Sequence, residues 1–275
     1  MALSVLIFDI DGTVAETEER HRAAFNAAFA EAGLPDRWDP ETYRKLLTVP
    51  GGHERLSAWF HGGLARPQGP AHEVDSEMIA RLHARKTRHY AQMDDELTSR
   101  LRPGIVRLLD EAEGGGLVVA IASTTTQANL DVLLEPALGP DWRERFAAIV
   151  AGNMVVRKKP APDVYLECLR RLGVPGSEAI AFEDSPPGVA AASAAGIATI
   201  ATPSLYTRAE DLGDANLVLP NLGDPDHPLD APPTGMPNRW VDVAGLRAWH
   251  QLLPPREASR GPNRSRLQTS PGEIR

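Results

Sequence analysis

One cysteine, Cys168, in 275 residues rules out an internal disulfide framework and suits a reducing compartment. No apolar run approaches the length needed to cross a bilayer, and the first residues lack the basic region, apolar core and cleavage pattern of a secretion signal. A soluble cytoplasmic protein is therefore expected, with no membrane partner. Basic residues are in deficit, 29 against 37 acidic for a net charge of −8, and no long basic run is present to attract phosphodiester backbones. The five tryptophans are scattered and suggest no stacking platform, so nucleic acid is not an expected partner either. Internal repeats are absent. The length allows a substantial core in one large domain or two modest ones, and a monomer is the expected state.

What the chain does have is concentrated first in LSVLIFDIDGTVAET, residues 3–17. Val5, Leu6, Ile7 and Phe8 read as a buried strand whose C-terminal end points into a site. Asp9 and Asp11 follow at the strand repeat, so both carboxylates face one crevice if the extended backbone persists through Ile10. Gly12 then lets the chain turn. An ionised aspartate is already a nucleophile, and its neighbour can trade a proton with a leaving group and with water. Two solvated loop aspartates are the bland alternative, and the abrupt change from VLIF to acid, acid, Gly and Thr disfavours it.

Residues 18–32 form an amphipathic helix, with Phe25, Ala28, Phe29 and Ala32 at i, i+3, i+4 and i+7 and a stop at Gly33 and Pro35. A polar region to about residue 99 holds helical stretches near 41–47, 54–61 and 76–93 and no convincing strand. From Arg100 the pattern changes. Pro103 suits a first helical position, and Ile105, Leu108, Leu109 and Ala112 make an apolar face closed by three glycines. Strands over 117–122, 148–151, 179–182 and 197–201 then alternate with helices such as 163–172, where Cys168 lies on the apolar stripe as core packing, and 189–195. This is the pattern of an α/β domain with a mainly parallel sheet. The interval between the first two strands far exceeds one crossover helix, so residues 17–98 are expected to form a helical cap above the C-terminal sheet edge, where ligands bind. The core would comprise 1–16 and 99–220. A last short strand falls at 217–219, residues 221–253 form a loop and a helix over 241–253, and 254–275 read as a disordered tail.

Each later strand ends in polar residues. After LVVAIA come Ser123, Thr124 and Thr125 at the start of a helix, an anion site or simply a Thr-rich N-cap. Lys159 precedes Pro160 and so sits in extended backbone, either neutralising charge between a phosphate and carboxylates or lying in a solvated loop. Glu183 and Asp184 follow AIAF. Two adjacent acids beside two more from the first strand are costly to hold together without a cation, and Mg²⁺, which takes hard oxygen ligands and bridges to phosphates, fits best.

The four stretches FDIDGT, IAST, KKPAPD and FEDSPPG, in this order at these strand ends, closely resemble the haloacid dehalogenase-like hydrolase superfamily over residues 3–220. The resemblance implies a Rossmann-like core with an inserted α-helical cap, a phosphoaspartyl intermediate and Mg²⁺. It makes Asp9 the nucleophile and Asp11 the acid and base, with Ser123 and Lys159 holding the transferring phosphoryl group. Asp9, the Asp11 main-chain carbonyl, Glu183 and Asp184 would be the metal ligands. DGTVAETEERH, LLTVPGGHERL, RKTRHY and SLYTRAED are similar to the CbbY subgroup, related to β-phosphoglucomutase. That likeness implies that Glu16, Thr17, His21, Arg55 and Lys86 face a small phosphorylated sugar, alongside Thr124 from the core. One departure is His53, where CbbY proteins usually carry a lysine for a second phosphate; a histidine is mostly uncharged at neutral pH. The expected activity is a sugar-phosphate phosphatase with xylulose 1,5-bisphosphate as leading substrate. A hexose-phosphate mutase, a phosphatase of another small monoester such as phosphoglycolate, and a catalytically silent binding protein are the alternatives.

Overall fold

Residues 2–61, 74–93 and 101–254 are described by the computed structural model. The opening strand is the centre of the molecule. Strand β1 (Val5–Phe8) pairs in parallel with β2 (Val118–Ala122) on one side and β4 (Ala179–Glu183) on the other. Beyond these lie β3 (Ala148–Val150), then β5 (Ala198–Ala201) and β6 (Leu217–Val218), in the order β3-β2-β1-β4-β5-β6, all parallel. This is the mainly parallel sheet that the strand and helix alternation predicts, in the Rossmann-like form that the family resemblance implies. The chain reverses its direction of growth across the sheet at β1, so the crevice beyond the C-terminal ends of β1, β2 and β4 is where such a fold binds ligands.

The apolar residues of β1 divide by the strand repeat between two cores. Val5 and Ile7 share one cluster with Val164, Cys168 and Leu169 of α7 (Asp163–Leu172) and Ala191 and Ala192 of α8 (Pro186–Ala194). Leu6 and Phe8 share the other with helices α5 (Ile105–Gly114), α6 (Gln127–Leu138) and α9 (Val243–Leu252). Because both faces are covered, β1 is buried along its whole length.

Between β1 and α5 the chain forms α1 (Glu18–Glu31), α2 (Pro40–Leu46), α3 (Gly52–Phe60) and α4 (Ser76–Gln92). They close around a cluster of their own, built from Phe25, Phe29, Trp38, Tyr43, Leu56 and Trp59 among others. The aromatic residues, few overall, gather here: Trp38 meets Phe25 and Tyr43 at a tilt and Phe29 and Trp59 edge to face, with ring centroids 4.6–5.9 Å apart. The point near residue 99 where the chain was expected to re-enter the core lies outside the described residues, and so does the tail after residue 254. No helix of the described residues is long and apolar enough to cross a membrane.

Two boundaries differ from the sequence reading in ways that bear on the site. Strand β4 runs one residue further, so Glu183 belongs to the strand itself. Helix α8 starts at Pro186 rather than 189, because two prolines in its first turn need no amide hydrogen bond and carry a helical φ already. The Pro- and Gly-rich stretch after β6 is tied down by Arg107, which donates to Asp224 Oδ1 at 3.0 Å, to Gly223 O at 2.8 Å and to Val241 O at 2.9 Å. Helix α9 then buries Val243, Leu246 and Trp249 in the same cluster as α5, after Asp242 caps it by accepting from Gly245 N. Trp249→Ala is expected to lower the unfolding free energy by about 3–5 kcal/mol, measured by urea denaturation followed by circular dichroism.

Candidate active site

A cavity of about 350 Å³ lies between the helices α1–α4 and the strand ends. Asp9 and Asp11 both line it, together with Lys159, Asp184 and Thr124 from the core and His21, Arg55 and Lys86 from the helices above. Gly12, at φ +84°, makes the turn between the first acid pair and the hinge, and a Cβ there would collide with Asp184 Oδ2. Only glycine meets both demands.

Lys159 is buried and its Nζ lies 2.6 Å from Asp9 Oδ1 and 2.6 Å from Glu183 Oε1. Burial works against its charge, but the two carboxylates outweigh burial and hold it protonated beyond the ordinary lysine range. Asp9 is pushed up to about 7, chiefly by burial and against the pull of Lys159. Asp184 is raised well above the usual carboxylate range, by burial first and then by Asp9 and Glu183. Its main-chain oxygen accepts from the Thr207 hydroxyl at 2.7 Å.

The second acid has a different environment. Asp11 Oδ1 accepts from the Thr17 hydroxyl at 2.5 Å and from His21 Nε2 at 2.9 Å, while Lys86 Nζ is 2.7 Å from His21 Nδ1. An ammonium can only donate, so Nδ1 is the acceptor and Nε2 carries the hydrogen given to Asp11. Burial and the adjacent Lys86 lower the His21 pKa, in keeping with a neutral ring. For Asp11 burial is opposed by His21, Thr17 and Lys86, which hold the carboxyl well below its usual range. Lys86 itself is lowered to about 7, by burial first, with Arg55 and Arg20 adding repulsion against the attraction of Asp11 and Glu18.

The other expected residues are placed as follows. Thr17 and Glu183 are fully buried and reach the site through Asp11 and Lys159. Ser123 is buried at the end of β2, its amide donating to Val150 O and its hydroxyl accepting from Thr125 N at 3.3 Å. Arg55 donates to Leu46 O and the Tyr43 hydroxyl, which itself donates to Glu18. Glu16 is not brought to this cavity: its carboxylate accepts from Leu205 N at 3.2 Å and lies 3.6 Å from Arg102 in a separate shallow cleft. His53 is exposed and does not line the cavity either, its ring 6.2 Å from His83. Sequence reasoning missed Glu18, His83, Lys158, Asn129 and Thr207, which do line it. Lys158 is the sequence neighbour of Lys159; the others carry no signal beyond polarity on a helix or in a loop.

The residues present suit a hard divalent cation. Asp9, Glu183 and Asp184 each offer an oxygen within 4.8 Å of the others, and all three are buried. They face one ammonium, that of Lys159. Glu183 Oε2 is buried with no hydrogen-bond partner among the described residues. Buried negative charge in excess of its counter-charge, on an all-oxygen donor set, is what such a cation relieves.

Comparison with known proteins gives the same direction. Residues 3–196 match the haloacid dehalogenase-like hydrolase family. The chain is 50% identical over 248 residues to the plasmid-encoded protein CbbY of Cupriavidus necator, covering 90% of this chain and 97% of that one. Protein CbbY of Rhodobacter capsulatus is 46% identical over 222 residues, 81% of this chain and 95% of that one. Among solved structures, CbbY from Rhodobacter sphaeroides in complex with xylulose-(1,5)bisphosphate superposes with a TM-score of 0.72 at 40% identity, covering 80% of this chain and 94% of that one. The chain belongs to the haloacid dehalogenase-like hydrolase family, within its CbbY group, and is an enzyme.

Two measurements probe this geometry. A helix interior ordinarily gains about 0.5–1 kcal/mol when glycine becomes alanine, but a Cβ at Gly188 would overlap Glu183 Oε2. Gly188→Ala is therefore expected to destabilise the protein in urea, with the sign opposite to helix propensity. For Lys86, between about pH 7 and its ordinary 10.5 the unfolded chain binds a proton that the folded chain has released, so stability rises with pH across that window. Lys86→Met should flatten the rise between pH 7 and 8.5 by on the order of 1 kcal/mol, read from urea midpoints at the two values.

Proposed function

We propose that this member of the haloacid dehalogenase-like hydrolase family is a Mg²⁺-dependent sugar-phosphate phosphatase working through phosphorylation of Asp9, with xylulose 1,5-bisphosphate as leading substrate. The observation that carries the reading is the pairing of Lys159 with Asp9 beside an ionised Asp11 in one capped cavity. An Asp9 carboxylate oxygen attacks phosphorus in line, and the bond from phosphorus to the sugar oxygen breaks as the new one forms. The leaving oxygen takes a proton from Asp11. Because Asp11 rests as a carboxylate, that proton has to reach it first, and the line from Lys86 through His21 supplies a route: Nζ gives a proton to Nδ1 as Nε2 gives one to Oδ1. Asp11 then draws a proton from water, which attacks the phosphoaspartate, frees inorganic phosphate and restores Asp9.

Lys159 stabilises charge on the transferring group, and the buried Ser123 stands at the adjoining strand end. Asp9, the Asp11 main-chain carbonyl, Glu183 and Asp184 would hold Mg²⁺, which supplies Lewis-acid polarisation of the phosphoryl oxygens. Choice of a substrate with two anionic ends is supported by Lys86, Arg55, Arg44 and Lys158, which line the cavity apart from Lys159. It is also supported by the bisphosphate bound in the Rhodobacter sphaeroides protein. His53, exposed outside the cavity, is not needed for that charge.

The test is phosphate release from a panel of sugar mono- and bisphosphates with Mg²⁺. Release is expected to be greatest for the bisphosphate, absent in EDTA and in Asp9→Asn, and reduced about 10²–10⁴-fold in kcat by Asp11→Asn. Formation of an isomerised sugar phosphate without inorganic phosphate would identify a mutase instead, and no turnover of any ester would overturn the reading.

A further inference from the structure

Tyr165 lies on the apolar face of α7 beside Cys168 and is completely buried there. Its hydroxyl, however, points out of the apolar cluster and donates to Glu183 Oε1 at 2.5 Å. The same oxygen is 2.6 Å from Lys159 Nζ, and that ammonium sits 5.2 Å from the centroid of the Tyr165 ring. One tyrosine thus touches both members of the buried pair, the acid through its hydroxyl and the base through its ring face.

We propose that Tyr165 is a positioning residue for the cation site, holding the Glu183 carboxylate by Oε1 so that Oε2 stays uncommitted. Both protein donors converge on Oε1, while Oε2 has no partner among the described residues. A buried carboxylate oxygen without a donor is costly unless something else satisfies it, and Glu183 offers an oxygen within 4.8 Å of oxygens of Asp9 and Asp184. Without the hydroxyl, Glu183 can turn about its last side-chain bond. The Lys159 ammonium then competes for both oxygens, and for the charge the cation needs. The inference rests on the Mg²⁺ dependence proposed above.

Tyr165→Phe keeps the ring and removes only the donor. The protein is titrated with Mg²⁺ alone, without substrate, and the rise of its thermal unfolding midpoint with concentration gives the apparent Kd. Residues that orient metal ligands typically contribute 10–100-fold to affinity, so Tyr165→Phe is expected to raise the Mg²⁺ Kd about tenfold. Cys168→Ala, on the same buried face of α7, serves as the packing control and should lower the midpoint without moving the Mg²⁺ Kd. A Tyr165→Phe Kd within twofold of the parent overturns the inference while leaving the phosphatase intact. A parent protein that Mg²⁺ does not stabilise and that releases no phosphate overturns both.

Discussion

The structure depends on one buried ammonium. Lys159 reaches from the loop after β3 to a point 2.6 Å from both Asp9 and Glu183, and without it three buried carboxylates would meet with no counter-charge. Removing one partner of a buried charge group typically costs several kcal/mol, because the others are left uncompensated. The sheet order is what brings these groups together. Asp9 is delivered by the central strand, Glu183 by its neighbour β4 and Lys159 from beyond β3, so the acids and the base converge only if β1 lies between β2 and β4.

The helices above the sheet complete the second half of the site. Asp9 sits among carboxylates with one cation, whereas Asp11, two residues on, accepts from Thr17 and His21, with Lys86 behind the His21 ring. Two acids so close in sequence therefore have opposite tendencies, one pushed toward protonation and the other toward ionisation. The turn that follows them is secured by Arg102, whose guanidinium donates to the carbonyls of Gly12, Thr202, Pro203 and Pro220. That clamp joins the turn after β1 to the segment carrying Ser204 and Thr207, which supports Asp184.

Much of this is legible in the residues themselves. Apolar runs ending in acid, hydroxyl or lysine mark strand ends, and four of them in order resemble one family closely enough to carry a site. What is not legible is direction. Glu16 and Thr17 are adjacent and both acceptable as hinge ligands, yet Thr17 turns inward to Asp11 while Glu16 turns outward to Leu205 and Arg102. His53 and Arg55 differ likewise, two residues apart and so on opposite faces of α3, one exposed and one lining the cavity. Tyr165 obeys the helical period and so reads as core, because periodicity locates a ring but says nothing of where its hydroxyl ends. The boundary of α8 moves for a local reason, its paired prolines, while the order of residues 219–242 depends on Arg107, more than a hundred residues away.

The central position of β1 has a consequence for the order in which the molecule is assembled. Val5 finds its neighbours only at Val118 and Ala179, so at the ordinary pace of translation β4 leaves the ribosome roughly 10–35 s after β1. Throughout that interval VLIF, wholly apolar and half β-branched, has an open edge on at least one side. The two aspartates that follow it then act as a gatekeeper charge, shielding the nascent strand long before either of them meets a phosphate.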